Sequence, residues 1–183
     1  MSRAAEQQLL QQAGAIAGLW RSVHAGQRDT WSYASLAELL LAQGRLFTPA
    51  PRPPRFAAGP PGTCFTTASR MADEHADLLY VEGMVLADGV PFAFDHAWCV
   101  SAESDHVIDS TLPDGAGLAY LGIALTDDYR REQQALRGLD AVITGGGINL
   151  ADNADALREG PSGHAWRPIG RPLPRTTETP ARS

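Results

Sequence analysis

The sequence predicts an α+β fold, a cysteine-bearing helix packed on an antiparallel sheet, with further helices at the N-terminal end. Three observations predict it. "TCFTTASRMADEHA" (63–76) has the composition and spacing of a helix. Three strand-like runs then follow in succession: "LLYVEGMVL" (78–86), "FAFDHAWCV" (92–100) and "DHVIDST" (105–111). Short, turn-rich connectors ("DGVP" and "SAESD") join them as in hairpins. A helix followed by strands joined in this way favours helices on one face of an antiparallel sheet.

The first element is read from residues 3 to 23. Leu9, Leu10, Ala13, Ile16, Ala17 and Trp20 recur at steps of three and four, an amphipathic helix. A second helix follows Ser35, which suits an N-cap with Glu38 three residues on, and Gly44 ends it. The segment 47–62, "FTPAPRPPRFAAGPPG", has six prolines in sixteen residues, so it is neither helix nor central strand. It reads as an ordered loop within one domain, a flexible linker being the competing reading. Thr63 suits the N-cap of the next helix, with Cys64 in its first turn. Beyond the three strands, "YLGIAL" (120–125) reads as another strand, with Tyr120 at the boundary of a cleft. "DDYRREQQALRGLDAVI" (127–143) reads as a helix broken by "TGGG", and "ADNADALREG" (151–160) as a short last helix. The domain is expected to span 1–169, with 170–183 a flexible tail.

Composition excludes several function classes. The chain has 183 residues, is 44% hydrophobic, and carries a formal net charge of −6. That is enough for one globular core, and it provides no basic surface for nucleic acid or anionic lipid. Glu6 and four glutamines interrupt the first twenty residues, which argues against a signal peptide. No run approaches the ~18 apolar residues of a membrane span. Two cysteines are too few for a disulfide framework, and the expectation is a cytoplasmic, reduced-thiol setting. No metal site is expected: the Cys and His residues lack C-x-x-C or H-x-x-x-H spacing. The glycines at 145–147 lack the context of a phosphate loop. No cofactor is called for, and oligomeric state is left open.

The chemistry lies in the middle of the chain. Strand alternation puts Phe94, His96, Trp98 and Val100 on one face and Asp95, Ala97 and Cys99 on the other. His96 and Cys99 therefore should not meet, and Cys99 reads as a small buried hydrophobe. Cys64, at a helix start whose dipole and free N–H groups favour thiolate, is the expected partner of His96, so His96 is expected to face the helix that carries Cys64. The competing reading of Cys64 is a plain buried helix residue. Asp109, inside an apolar run, needs a partner, and an imidazole N–H on the next strand suits it. Its competing reading is a turn with Ser110 and Thr111. Asp105 belongs to the preceding turn.

A Cys–His–Asp order on helix, strand and strand resembles the papain-like and transglutaminase-like superfamily of cysteine enzymes. The string "CFTTASRMA…LLYVEGMVL…HAWCV…HVIDSTL…YLGIAL" resembles uncharacterised bacterial and phage proteins with a CF…YVEG…HAW…IDxT pattern, over about residues 44 to 125. Thr67 departs from that pattern, which often has Asn there. The resemblance implies Cys64 as nucleophile, His96 as general base and acid, and Asp109 as orienter. It implies acyl chemistry through a thioester, with peptides, proteins or small amides and esters as substrates. Amide hydrolysis is the favoured outcome. Acyl transfer to an amine and a non-catalytic binding or effector module on the same fold stay open.

Three further residues belong to the expected site. Gln43 takes the second oxyanion position that a papain-like layout suggests. Glu82 either lines the site or faces solvent on the other side of the sheet. Trp98, on the His96 face, either shelters the imidazole or serves the core. Among other histidines, His164 has no downstream Asn or Asp to orient it. His24 and His106 lack a carboxylate in a strand pairing, and His75 lies about 16 Å along the helix from Cys64.

Overall fold

The structure, a computed structural model, describes residues 3–145, 152–160 and 162–174. Two helices come first, α1 (Arg3–Val23) and α2 (Leu36–Gln43), then a short strand β1 (Arg45–Phe47). The helix α3 (Cys64–Glu74) precedes strands β2 (Leu78–Ala87), β3 (Phe94–Ser101), β4 (Val107–Ile108) and β5 (Gly117–Leu125). Helices α4 (Asp127–Arg137) and α5 (Ala154–Glu159) and a short strand β6 (Trp166–Arg167) complete the described elements. The architecture is α+β, with an antiparallel sheet and helices against it.

The local sequence explains the element ends. In α1 the buried residues are Ala5, Leu9 and Ala13, at steps of four. Ser35 caps α2 by accepting from the Glu38 N–H at 3.3 Å, and Gly44 closes it. α4 stops at Gly138, which has φ 64°, the left-handed conformation that glycine adopts without strain. The expected helix to residue 143 is therefore too long by six residues. Glu82 takes the backbone N–H groups of Val142, Ile143 and Thr144, which a helix would have used.

The sheet runs β1-β5-β2-β3-β4, with β6 also paired to β5. It curls until its ends meet. Thr48, just past β1, bridges His106, just before β4. The Thr48 N–H donates to Asp105 O at 2.8 Å, and the Val107 N–H donates to Thr48 O at 2.9 Å. The concave interior is filled by Phe47, Val81, Val85, Trp98, Val100, Val107, Tyr120 and Ala124. The helices cover the outside, where Leu9, Leu40, Ala68, Met71, Tyr80 and Cys99 belong to one larger core.

The Pro-rich segment is held in place as expected of an ordered loop. Phe56 is buried, the Gly59 N–H donates to Ser110 O at 2.7 Å, and Arg55 pairs with exposed Asp77. The loop carries the chain from β1 around the sheet to the start of α3. At the other end the expected tail is corrected in part: Arg171 exchanges two backbone hydrogen bonds with Leu46, so pairing continues past residue 169. The remainder of that tail, from 175, lies outside the described residues, as do Gly146 and Gly147 of the glycine run. No described helix is long and apolar enough to cross a membrane.

Candidate active site

His96 is brought to the site by β3, whose alternation turns Phe94, His96, Trp98 and Val100 toward the concave interior. Its ring lies beside Phe94, Trp98 and Tyr120 at centroid distances of 5.9, 6.2 and 6.4 Å. Opposite His96 in the ladder is Gly83, itself opposite Gly122. This glycine pair gives the rings room: a Cβ on Gly122 would stand 2.6 Å from Trp98 Cη2. A Cβ on Gly83 would collide with the Leu121 carbonyl, so Gly83 marks a close backbone approach rather than a bulge. Trp98 serves both expected roles. It is 1% exposed in the core, and its ring stacks within 21° of the imidazole plane.

Asp109 follows β4, and the turn it forms is why β4 is only two residues long. Its Oδ1 accepts from the Thr111 N–H at 2.9 Å, the Leu112 N–H at 3.0 Å and the Thr111 hydroxyl at 3.2 Å. Its Oδ2 stands 2.7 Å from His96 Nε2. The two readings of Asp109 are therefore both realised, one on each oxygen. Both side chains are buried. Burial alone would push the His96 pKa down. The hydrogen bond and charge of Asp109, with a further contribution from Cys64, outweigh it and push the pKa up to about 9. Burial likewise works to raise the Asp109 pKa, and the His96 contact together with the Leu112 and Thr111 N–H groups more than offsets it, leaving the carboxyl below its ordinary value.

Cys64 is the first residue of α3 and is 8% exposed. Its thiol lies beside the imidazole and, through hydrogen bonding and charge, adds to the rise in the His96 pKa. His96 Nε2 is engaged by Asp109, so Nδ1 is the nitrogen left for the thiol. The arrangement around Cys64 leaves helix donors open. The first backbone bond of α3 runs from the Thr67 N–H to Thr63 O at 2.8 Å, so the N–H groups of Cys64, Phe65 and Thr66 have no intrahelical acceptor. Thr63 occupies the N-cap, but its hydroxyl does not cap. It donates to Pro60 O at 2.7 Å and lies 2.8 Å from Thr67 Oγ1, so Thr67 anchors the first turn.

One expectation about faces is corrected. His96 and Cys99 do lie on opposite faces, but α3 packs against the Cys99 face. The Cys99 thiol donates to Ala68 O at 3.3 Å, is fully buried, and is pushed up to about 12 by that burial. Cys64, the first residue of α3, acts on the His96 ring. The β3 edge is uncovered beyond its pairing with β4, which spans only Cys99 and Val100. That gap lets Cys64, at the end of an outer helix, approach an inward-facing histidine.

Two other expected site residues lie elsewhere. Gln43 is exposed, its Nε2 donates to Tyr33 Oη at 3.0 Å, and it precedes β1. It lines a surface depression with Arg45, Ile123 and Trp166, away from Cys64. The partner that the structure gives Gln43 is thus Tyr33 and not a group at the Cys64 site. Glu82 neither lines the site nor faces solvent. It is fully buried on the helix-covered face, accepting from Val142, Ile143 and Thr144 N–H and from Tyr80 Oη at 2.7, 2.9, 2.5 and 2.9 Å. Burial raises its pKa, and these four donors work against that rise. It anchors the 142–144 segment, a structural role.

Sequence reasoning missed one polar partner in the site. Tyr120, expected at the cleft boundary, points inward and donates to Asp109 Oδ2 at 3.0 Å. The signal was present: a tyrosine in an apolar strand needs a partner for its hydroxyl. No family model matches the chain, and no curated protein or solved structure matches it either.

Proposed function

We propose that the protein is a cysteine hydrolase acting on amide or ester carbonyls, built on a papain-like or transglutaminase-like core. The observation that carries the reading is the convergence of three elements: the Cys64 side chain at an open helix start, an adjacent His96, and Asp109 bonded to the far nitrogen of that imidazole. The His96 pKa of about 9 keeps the imidazole charged at neutral pH, the form that pairs with a thiolate and donates to a leaving group.

In the proposed reaction Cys64 Sγ, its proton held by His96, attacks the carbonyl carbon. The C=O π pair moves to oxygen, and the free N–H groups of the first α3 turn face that charge. The tetrahedral species collapses, the C–N or C–O bond breaks, and His96 protonates the departing amine or alcohol. A thioester on Cys64 remains. Neutral His96 then takes a proton from water, whose oxygen attacks the thioester; the C–S bond breaks, the carboxylic acid departs, and Cys64 is left as the thiolate beside the imidazolium. Asp109 holds the ring and stabilises its charged form throughout. The narrow approach to an 8% exposed Cys64 suits a small or extended acyl group.

The experiment is incubation with p-nitrophenyl acetate, followed by intact mass and peptide mapping. The expected result is p-nitrophenol release with transient acetylation of Cys64, absent in Cys64→Ala. No turnover and no acetyl on Cys64, across this and longer acyl esters, would sink the reading. Adding glycine methyl ester as acceptor separates transfer from hydrolysis by the product formed.

A further inference from the structure

We propose that Tyr120 is a positioning residue for the His96–Asp109 pair, its hydroxyl filling the second acceptor position of the same Asp109 oxygen that binds His96. This deepens the acyl-chemistry reading and rests on it for its functional meaning. A carboxylate oxygen has two lone-pair directions. On Asp109 Oδ2 one is met by His96 Nε2 at 2.7 Å and the other by Tyr120 Oη at 3.0 Å. Oδ1 is separately held by Thr111 and Leu112. The carboxylate is therefore bound at every side.

What Tyr120 holds off is solvent. A cavity of about 300 Å³ lies against Asp109 and Tyr120, walled by Pro49, Leu112, Gly117 and Leu118. Without the phenol, the freed lone pair of Oδ2 would turn to water from that side. Gly117 supports the arrangement: a Cβ there would overlap the Tyr120 hydroxyl, so the glycine leaves the ring end its space. Burial, with Asp109 beside it, raises the Tyr120 pKa, which keeps the hydroxyl a donor. A purely structural tyrosine would contribute packing with Trp98 and nothing to the titration of His96.

The test uses the full chain with ¹⁵N-labelled histidine, the His96 signals being assigned with His96→Gln. In the wild type, Nε2 carries a proton protected from exchange. Water admitted at the freed lone pair screens the Asp109–His96 pair and opens the Nε2 proton to solvent. In Tyr120→Phe the His96 midpoint therefore moves down by about half a pH unit or more, and the Nε2 proton exchanges with water about tenfold faster or more. Cys64 alkylation by iodoacetamide slows about threefold to tenfold. Gly117→Ala, which displaces the hydroxyl but keeps the ring, moves the same readouts in the same direction and serves if Tyr120→Phe folds poorly. Wild-type midpoint and exchange in a folded Tyr120→Phe or Gly117→Ala protein would overturn the inference. If instead His96→Gln leaves Cys64 alkylation unchanged, the acyl-chemistry reading fails, while the His96 spectra still decide the role of Tyr120.

Discussion

His96 Nε2 and Asp109 Oδ2 stand 2.7 Å apart, with both side chains less than a tenth exposed. At that burial the imidazolium depends on its carboxylate. Asp109→Asn removes the charge and leaves burial as the dominant influence, so the His96 pKa falls from about 9 to its ordinary value or below. Activity at neutral pH falls about 10²-fold to 10⁴-fold, as expected when an orienting carboxylate is lost. Histidine NMR titration reads the first effect and ester turnover the second.

The same pair makes stability depend on pH. The His96 pKa is raised in the folded state, so its contribution is complete below about 6.5, the ordinary value, and is lost as pH rises through about 9. Thermal melts between pH 6 and 10 should show a falling midpoint across that window. Asp109→Asn should flatten the slope. The proposed acid role gives activity an upper limb at about the same pH, as His96 loses the proton it donates.

Cys64 and Cys99 should separate cleanly. Cys64→Ser removes the nucleophile and abolishes turnover. Cys99→Ser leaves turnover within about twofold and costs about 1–2 kcal/mol of stability, because a more polar group enters a filled core site facing Ala68. Ester assays and urea unfolding distinguish the two.

Glu82→Ala should be a stability variant. It leaves three consecutive backbone N–H groups and the Tyr80 hydroxyl without their buried acceptor. At about 1–3 kcal/mol for each orphaned donor, the loss is about 3 kcal/mol or more. Denaturant unfolding measures it. Gln43→Ala, by contrast, should leave turnover within about twofold, since Gln43 bonds to Tyr33 and lines a different depression.

The helix and strand order from Cys64 to Leu125 was legible because its signals are local: turn residues, period-two runs and capping. Strand alternation also separated His96 from Cys99. Which face the helix would take was not legible, because that depends on how the sheet curls. The closure of Thr48 on His106 joins residues 58 positions apart and leaves no mark on either local pattern. Glu82 was misread for the same reason. Its acceptors' partners are about sixty residues away, and a carboxylate in an apolar strand announces only that partners exist. Gln43 was placed by analogy of layout, and the short β1 that follows it had too few residues to be read.

The central claim is that His96 activates Cys64. Its most direct test is the second-order rate of iodoacetamide alkylation at pH 7, with peptide mapping to separate Cys64 from buried Cys99. The prediction is a Cys64 rate about tenfold or more above that of N-acetylcysteine, falling to the N-acetylcysteine rate in His96→Ala, with Cys99 unlabelled. A Cys64 that reacts no faster than N-acetylcysteine, and equally fast with and without His96, would contradict it.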